Sequence, residues 1–156
     1  MPPTDEELLA LHEAMIETVR TAVSGLGRKS LHWQEPDTKK SIASELVHLF
    51  KTERWWMREA GFDSQLKAPP SEASLEELLA ALEAAAACYR KFLSERPGDA
   101  TLRRQLLRLS QHAIYHLPRL YHFRVRQGPH WPVPPGNQPG SWAKAADRIT
   151  ELILKG

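Results

Sequence analysis

The sequence predicts an all-α protein, a four-helix bundle with an additional short C-terminal helix. Apolar residues recur at intervals of three and four along four long segments, which is the spacing of amphipathic helices. No segment shows the period-two alternation of a half-buried strand, and no internal repeat is present. Four such segments of about 20 to 28 residues joined by short loops are typical of a four-helix bundle.

The first two helices have clear start and stop signals. Thr4 is an N-cap followed by acidic residues, and Gly25 and Gly27 end the first helix. A loop with turn-forming residues precedes the second helix, predicted over residues 39–60, and Gly61 ends it. Their apolar stripes are Leu8, Leu11, Met15, Thr18, Val19 and Ala22 in the first helix and Ile42, Leu46, Leu49, Phe50, Trp56 and Met57 in the second.

The third and fourth helices are separated by a short break. Ser74 with Glu77 forms a capping box for a helix over residues 75–94, and Pro97 and Gly98 end it. Asp99 caps the fourth helix. The fourth helix carries one apolar stripe, formed by Leu102, Leu106, Leu109, Ala113, Leu117 and Leu120.

The C-terminal part differs in composition. Residues 128–141 are rich in Pro and Gly, which excludes regular structure, although Trp131 and Val133 can pack. Ser141 then caps a short fifth helix over residues 142–154. We therefore divide the chain into a bundle, residues 1–128, and a segment, residues 129–156, packed on the same domain.

Bulk composition excludes several classes of protein. The 156 residues fit one domain, and a net charge of +2 is too small to imply nucleic-acid or membrane binding by its field alone. The single cysteine, Cys88, excludes an intramolecular disulfide and is expected to be a small buried residue. No signal peptide or membrane span is evident, so we expect a cytoplasmic protein.

Three histidines are the candidate metal ligands. His112 and His116 are four residues apart, on one face of the fourth helix and at the edge of its apolar stripe. His48 likewise lies at the edge of the apolar stripe of the second helix. Three protein ligands with an open fourth position are typical of catalytic zinc. Spacing alone leaves open whether these are ligands or partly buried histidines with other partners. The remaining histidines, His12, His32, His122 and His130, are expected to be solvated or locally bonded.

Two glutamates of the second helix are candidates to assist this site. Glu53 falls in the middle of the apolar face, where an unpaired carboxylate is costly. It either forms a structural hydrogen bond or acts as a base or as the residue that orients a ligand histidine. Glu45, one turn before His48, is a second candidate for the orienting role.

The chain resembles the DinB/YfiT family of bacterial four-helix-bundle metalloproteins over roughly residues 5–128. The likeness lies in two blocks, SLHWQEPDTKKSIASELVHLFKTERWWMREAGF and QHAIYHLPRLYHFRVRQG. The matching positions are Trp33, Pro36, Ser41, Ile42, His48 and Glu53 in the first block, and His112, His116 and Gly128 in the second. One departure is that Pro118 and Arg119 replace the usual Gly and Gln, and Pro118 should kink the helix at the mouth of the site.

The resemblance implies a divalent metal, usually zinc or nickel, held by His48, His112 and His116 and completed by water. It also implies a homodimer and, in several relatives, S-transfer with bacillithiol or mycothiol. We expect a metal-dependent S-transferase or hydrolase for a small molecule. The alternative is a non-catalytic metal-binding or stress-associated bundle protein. Nucleic-acid binding is not expected, because the arginines of the fourth helix spread around it: Arg103, Arg104, Arg108, Arg119, Arg124 and Arg126.

Overall fold

The computed structural model describes residues 2–127, and within them the secondary structure is entirely helical. Four long helices and one short helix are present, which confirms the all-α bundle. The predicted helix over residues 142–154, its cap Ser141 and the position of Gly128 lie outside the described residues. The helices are α1 (Asp5–Val23), α2 (Arg28–Leu31), α3 (Ile42–Glu59), α4 (Leu75–Glu95) and α5 (Ala100–Arg126).

The predicted N-caps of three long helices are confirmed. In α1 the Glu7 N–H donates to Thr4 Oγ1 at 3.2 Å, and the Thr4 N–H donates to the Glu7 carboxylate at 2.8 Å. Ser74 and Glu77 make the same reciprocal bonds at the start of α4. The Asp99 carboxylate accepts two backbone N–H groups at the start of α5. These caps satisfy donors that a helix leaves free in its first turn.

The structure differs from the prediction at one helix boundary and in one additional helix. The helix expected from residue 39 begins at Ile42, because Ser41 is its N-cap and exchanges hydrogen bonds with Ser44. The short helix α2 lies in a segment predicted to be a loop, and buries Leu31 at 1% exposure. A single helical turn is too short to show amphipathic periodicity, so the sequence carried little sign of it.

The bundle has an up-down-down-up topology. The ion pair of Arg103 with Asp5 and the bond from Arg124 to the carbonyl of Ala22 show that α1 and α5 run in the same direction. Contacts of His48 with His112 and of Glu45 with His116 show that α3 runs opposite to α5. The ring of adjacent helices is α1, α5, α3, α4 and back to α1, so α1 and α3 face each other diagonally across the core.

The core is built mainly from leucine, with Met15, Phe50, Met57 and Tyr89 also fully enclosed. No helix within residues 2–127 combines the length and the apolar character that crossing a membrane requires. Cys88 is only partly buried and packs against the edge of this core. The buried polar side chains are the exceptions that need partners, and they include His12, Glu45, Glu53 and His116.

The end of α5 is tied to the segment between α1 and α3. Gln127 donates to the main-chain oxygen of Ser30 at 2.9 Å, and Arg126 lies 3.4 Å from the Glu35 carboxylate. Glu35 also accepts the backbone N–H groups of Asp37 and Thr38, which closes the turn before α3. These bonds fix the start of α3, and therefore the height of His48, relative to α5.

Candidate metal centre

The antiparallel packing of α3 against α5 brings the three predicted ligand histidines together. His48 Nε2 lies 3.3 Å from His112 Nε2, and His112 Nε2 lies 3.0 Å from His116 Nε2. One ring nitrogen from each of the three lies within 4.8 Å of the other two. Helix α5 contributes two histidines that are one turn apart on the same face, and helix α3 contributes one histidine.

These separations fit a shared metal ion. Zinc bonds imidazole nitrogen at 2.0–2.1 Å, so two ligands of a tetrahedral ion lie about 3.3 Å apart. A neutral imidazole has one N–H, so the central His112 Nε2 can donate to only one of its two neighbours. At most one of the two short contacts at His112 Nε2 can therefore be a well-directed hydrogen bond from this nitrogen. A cation between the three nitrogens would instead use a lone pair from each ring.

A buried carboxylate orients the third histidine. Glu45 lies 2.5 Å from His116 Nδ1, and both residues are almost completely enclosed, with 2% and 3% exposure. When His116 donates its Nδ1–H to Glu45, its Nε2 carries a lone pair directed at the other two histidines. A carboxylate on the second nitrogen is the usual partner of a metal-binding histidine, because it fixes the tautomer and the ring plane.

Two cationic side chains near Glu45 stabilise its negative charge. Lys40 and Arg119 lie 3.9 Å and 3.8 Å from its oxygens. Burial by itself raises the pKa of Glu45, but the hydrogen bond from His116 and the two cations outweigh it and lower the pKa below its usual range. Glu45 is therefore ionised at neutral pH and can hold the Nδ1 proton of His116.

The other two ligands are held in the neutral form that metal binding needs. Burial and the neighbouring histidines lower the pKa of His112 to about 4. Burial, followed by the charge of His116, also lowers the pKa of His48. A metal ion therefore displaces few protons from this site at neutral pH.

Exposure changes steadily across the cluster. His116 is buried, His112 is partly buried and His48 is exposed. Within residues 2–127, no fourth histidine, cysteine or carboxylate joins these three. Glu45 therefore closes the buried end of the cluster, and the opposite end, at His48, faces the protein surface. This leaves room for a small ligand at the fourth position.

Glu53 occupies a different part of the bundle. Its carboxylate lies 3.2 Å from His12 Nε2, on the diagonal helix α1, and within residues 2–127 it forms no hydrogen bond to a ligand histidine. His12 is 2% exposed and its partner is 41 residues away, so the expectation of a solvated or locally bonded side chain was wrong. Among the two glutamates, it is Glu45 that contacts a ligand histidine.

The remaining predicted positions have ordinary structural roles. His32 is partly buried and bonds at 3.0 Å to the main-chain oxygen of Ala73, 41 residues away, so the expectation of a solvated or locally bonded side chain was wrong for His32 as well. His122 is exposed, as expected. His130 lies outside the described residues. Helix α5 continues through Pro118 to Arg126, so the proline does not end the helix near the site.

Most arginines of α5 take part in contacts within the chain. Arg103 pairs with Asp5, and Arg119 and Arg126 lie near glutamates. Arg108 lies over the ring of Trp56, and Arg124 binds main-chain carbonyls at the end of α1. These contacts account for their dispersed pattern in the sequence.

Comparison of the chain with models of known protein families, with curated proteins and with solved structures found no match. The resemblance to the DinB/YfiT family therefore depends on the two sequence blocks alone. The evidence for a metal centre is the geometry of the three histidines and Glu45.

Proposed function

We propose that the protein binds one divalent metal ion through His48, His112 and His116, and uses it in a reaction of a small molecule. The single observation that carries this proposal is the convergence of three imidazole nitrogens without a fourth protein ligand in the described residues. A purely structural zinc site is usually closed by four protein ligands, whereas a catalytic one keeps a position for water or substrate.

The chemistry we propose is activation of a nucleophile, in a metal-dependent S-transferase or hydrolase. A bound divalent metal would lower the pKa of a water or thiol at the fourth position, which makes the nucleophile available near neutral pH. In S-transfer the thiolate sulfur forms a bond to an electrophilic carbon, the leaving group departs with the electron pair of the broken bond, and the thiol proton passes to solvent. Within this site, Glu45 keeps His116 oriented.

The resemblance to the DinB/YfiT family supports the finer details. It favours zinc or nickel as the metal, a low-molecular-weight thiol such as bacillithiol or mycothiol as co-substrate, and a homodimer. A single cysteine supports a cytoplasmic location, where thiols stay reduced. Sedimentation of the metal-loaded protein tests the dimer separately from the chemistry.

Metal analysis tests the proposal directly. Protein purified without an affinity tag is stripped with a chelator, mixed with zinc or nickel, and freed of unbound metal. We expect about one ion per chain in the natural sequence and loss of at least 100-fold in affinity in His116→Ala, because two exposed or half-exposed imidazoles make a poor site. His122→Ala is the matched control, since it removes an exposed histidine of the same helix outside the cluster.

Substoichiometric binding in the natural sequence, or full binding in a folded His116→Ala variant, would contradict the proposal. Activity is then measured with a thiol and an alkylating or epoxide electrophile, and with activated esters for hydrolysis. The expected result is turnover that metal restores to the stripped protein and that His48→Ala lacks.

A non-catalytic metal site is the second candidate. It is favoured by the position of the cluster, because one ion would join α3 to α5. This role predicts a large loss of melting temperature on chelation and no exchangeable water on the metal. Water-proton relaxation of the cobalt-loaded or manganese-loaded protein distinguishes the two, since only an open position exchanges water.

A further inference from the structure

A polar cavity of about 470 Å³ lies beside the three-histidine cluster. One wall is a face of α3 that carries Ser44, His48 and Lys51, and the opposite walls are the segments before α3 and before α4. His48 is the residue that the cavity shares with the cluster. A molecule bound at the fourth metal position can therefore extend over His48 into this cavity.

Lys51 stands one turn beyond His48 on the same face of α3, about 4.5 Å further along the helix axis. It is exposed, and within residues 2–127 no carboxylate forms an ion pair with it. The other charged side chain of the wall, Glu72, is accompanied by Arg28 at 3.5 Å. The cavity thus contains one cation without a counter-charge.

Some polar groups that line the cavity are already hydrogen-bonded within the chain, and others are not. Ser44 Oγ accepts the N–H of Ser41 and donates to its carbonyl, so it is occupied by the helix cap. His32 uses Nε2 to bond the main-chain oxygen of Ala73. The Gln34 amide and the Lys51 ammonium form no bond to the described residues, and both are donors available to a ligand.

We propose that this cavity binds the carboxylate end of the small-molecule thiol, with Lys51 as the residue that determines this specificity. The inference rests on the proposed function, because the thiol sulfur is taken to occupy the open metal position. A flexible thiol with a carboxylate several bonds from its sulfur can bind the metal through its sulfur and Lys51 through its carboxylate. A neutral thiol of the same length can bind only the metal.

Two thiols of equal chain length test the proposal, mercaptohexanoate and mercaptohexanol. Each is titrated into cobalt(II)-loaded protein at low ionic strength, and binding is measured from the sulfur-to-cobalt charge-transfer absorption. An ion pair at a surface-accessible site contributes up to about 1 kcal/mol, so we expect mercaptohexanoate to bind about three- to fivefold more tightly. The preference should shrink when salt shortens the Debye length.

Variants of Lys51 give the decisive comparison. Lys51→Met should make the two dissociation constants equal, and Lys51→Glu should reverse the preference in favour of mercaptohexanol. Lys67→Met is the matched control, because Lys67 is an exposed lysine that does not line the cavity. Both Lys51 variants should keep the cobalt spectrum, and if Lys51→Glu does not fold, Lys51→Met decides alone.

The failures of the two proposals are distinguishable. If the natural sequence does not bind cobalt at about one ion per chain, the metal centre itself is wrong. If cobalt binds and both thiols bind with equal affinity, or if the preference survives in Lys51→Met, the metal centre stands and the carboxylate-binding cavity is wrong.

Discussion

The bundle contains two buried histidine–carboxylate pairs, His116 with Glu45 and His12 with Glu53. The first pair is separated by 2.5 Å and the second by 3.2 Å, and all four residues are buried, with at most 5% of their surface exposed. The pairs have the same chemical groups and similar burial. What differs is the environment of the second ring nitrogen of each histidine.

In His116 the second nitrogen faces two more imidazoles and an open edge of the bundle. In His12 the second nitrogen, Nδ1, is buried and has no hydrogen-bond partner among the described residues, as is also true of Glu53 Oε2. The ring of Tyr89 packs edge-on against His12. The first pair can therefore support a ligand-binding site, whereas the second joins the diagonal helices α1 and α3 inside a closed core.

The largest expected effect comes from breaking the closed pair. Glu53→Leu leaves His12 buried without its partner, and we expect a loss of about 3 kcal/mol in the free energy of unfolding. The double variant His12→Leu with Glu53→Leu removes both polar groups and should be more stable than Glu53→Leu alone. Urea unfolding of the metal-free proteins measures both values.

Additive losses in this pair of variants would contradict the coupling of His12 with Glu53. Metal content provides the second half of the comparison. Both variants, when folded, should still bind about one ion per chain, because neither residue contacts the three-histidine cluster.

A smaller effect is expected when the carboxylate of the open pair is altered. Glu45→Gln keeps an acceptor for the His116 Nδ1–H but removes the negative charge, and we expect metal affinity to fall about 10- to 100-fold. Competition with a chromophoric chelator measures this change. Glu53→Gln is the matched control and should leave the metal dissociation constant within about twofold. Equal losses in the two variants would mean that Glu45 has no special role.

The smallest effect is a pH dependence of the metal-free protein. The pKa of His112 is about 4 in the folded state, below its ordinary value of 6.5. Between these values the unfolded chain binds a proton that the folded chain does not, so stability should decrease as the pH falls from about 6.5 to about 4. His112 is only partly buried, so we expect about 1 kcal/mol after allowance for solvent screening.

Urea midpoints measured at several pH values in the presence of a chelator test this dependence. His112→Gln should flatten the profile, and His122→Gln should not. A profile that is unchanged by His112→Gln would contradict the assignment.

Much of the fold follows from local sequence signals. Thr4, Ser74 and Asp99 cap their helices because their side chains bond the nearest backbone N–H groups, an interaction that involves only neighbouring residues. The four-residue spacing of His112 and His116 likewise places both on one face wherever this segment is helical. The start of α3 was less predictable, since Ser41 competes with earlier residues for the capping position.

The sequence by itself determined the four long helices and which residues of each lie near its apolar stripe. Only the tertiary structure decided which glutamate contacts a ligand histidine. A helical wheel places Glu45 about 60° and Glu53 about 140° from His48, but it does not say which neighbouring helix each direction faces.

Because α3 runs antiparallel to α5, a residue about one turn before His48 lies beside a residue one turn after His112, and Glu45 therefore contacts His116. Because α1 lies diagonally across from α3, the direction of Glu53 leads through the core to His12. Helix direction and order in the bundle are properties of the packed chain, and they assign one glutamate to the metal centre and the other to the core.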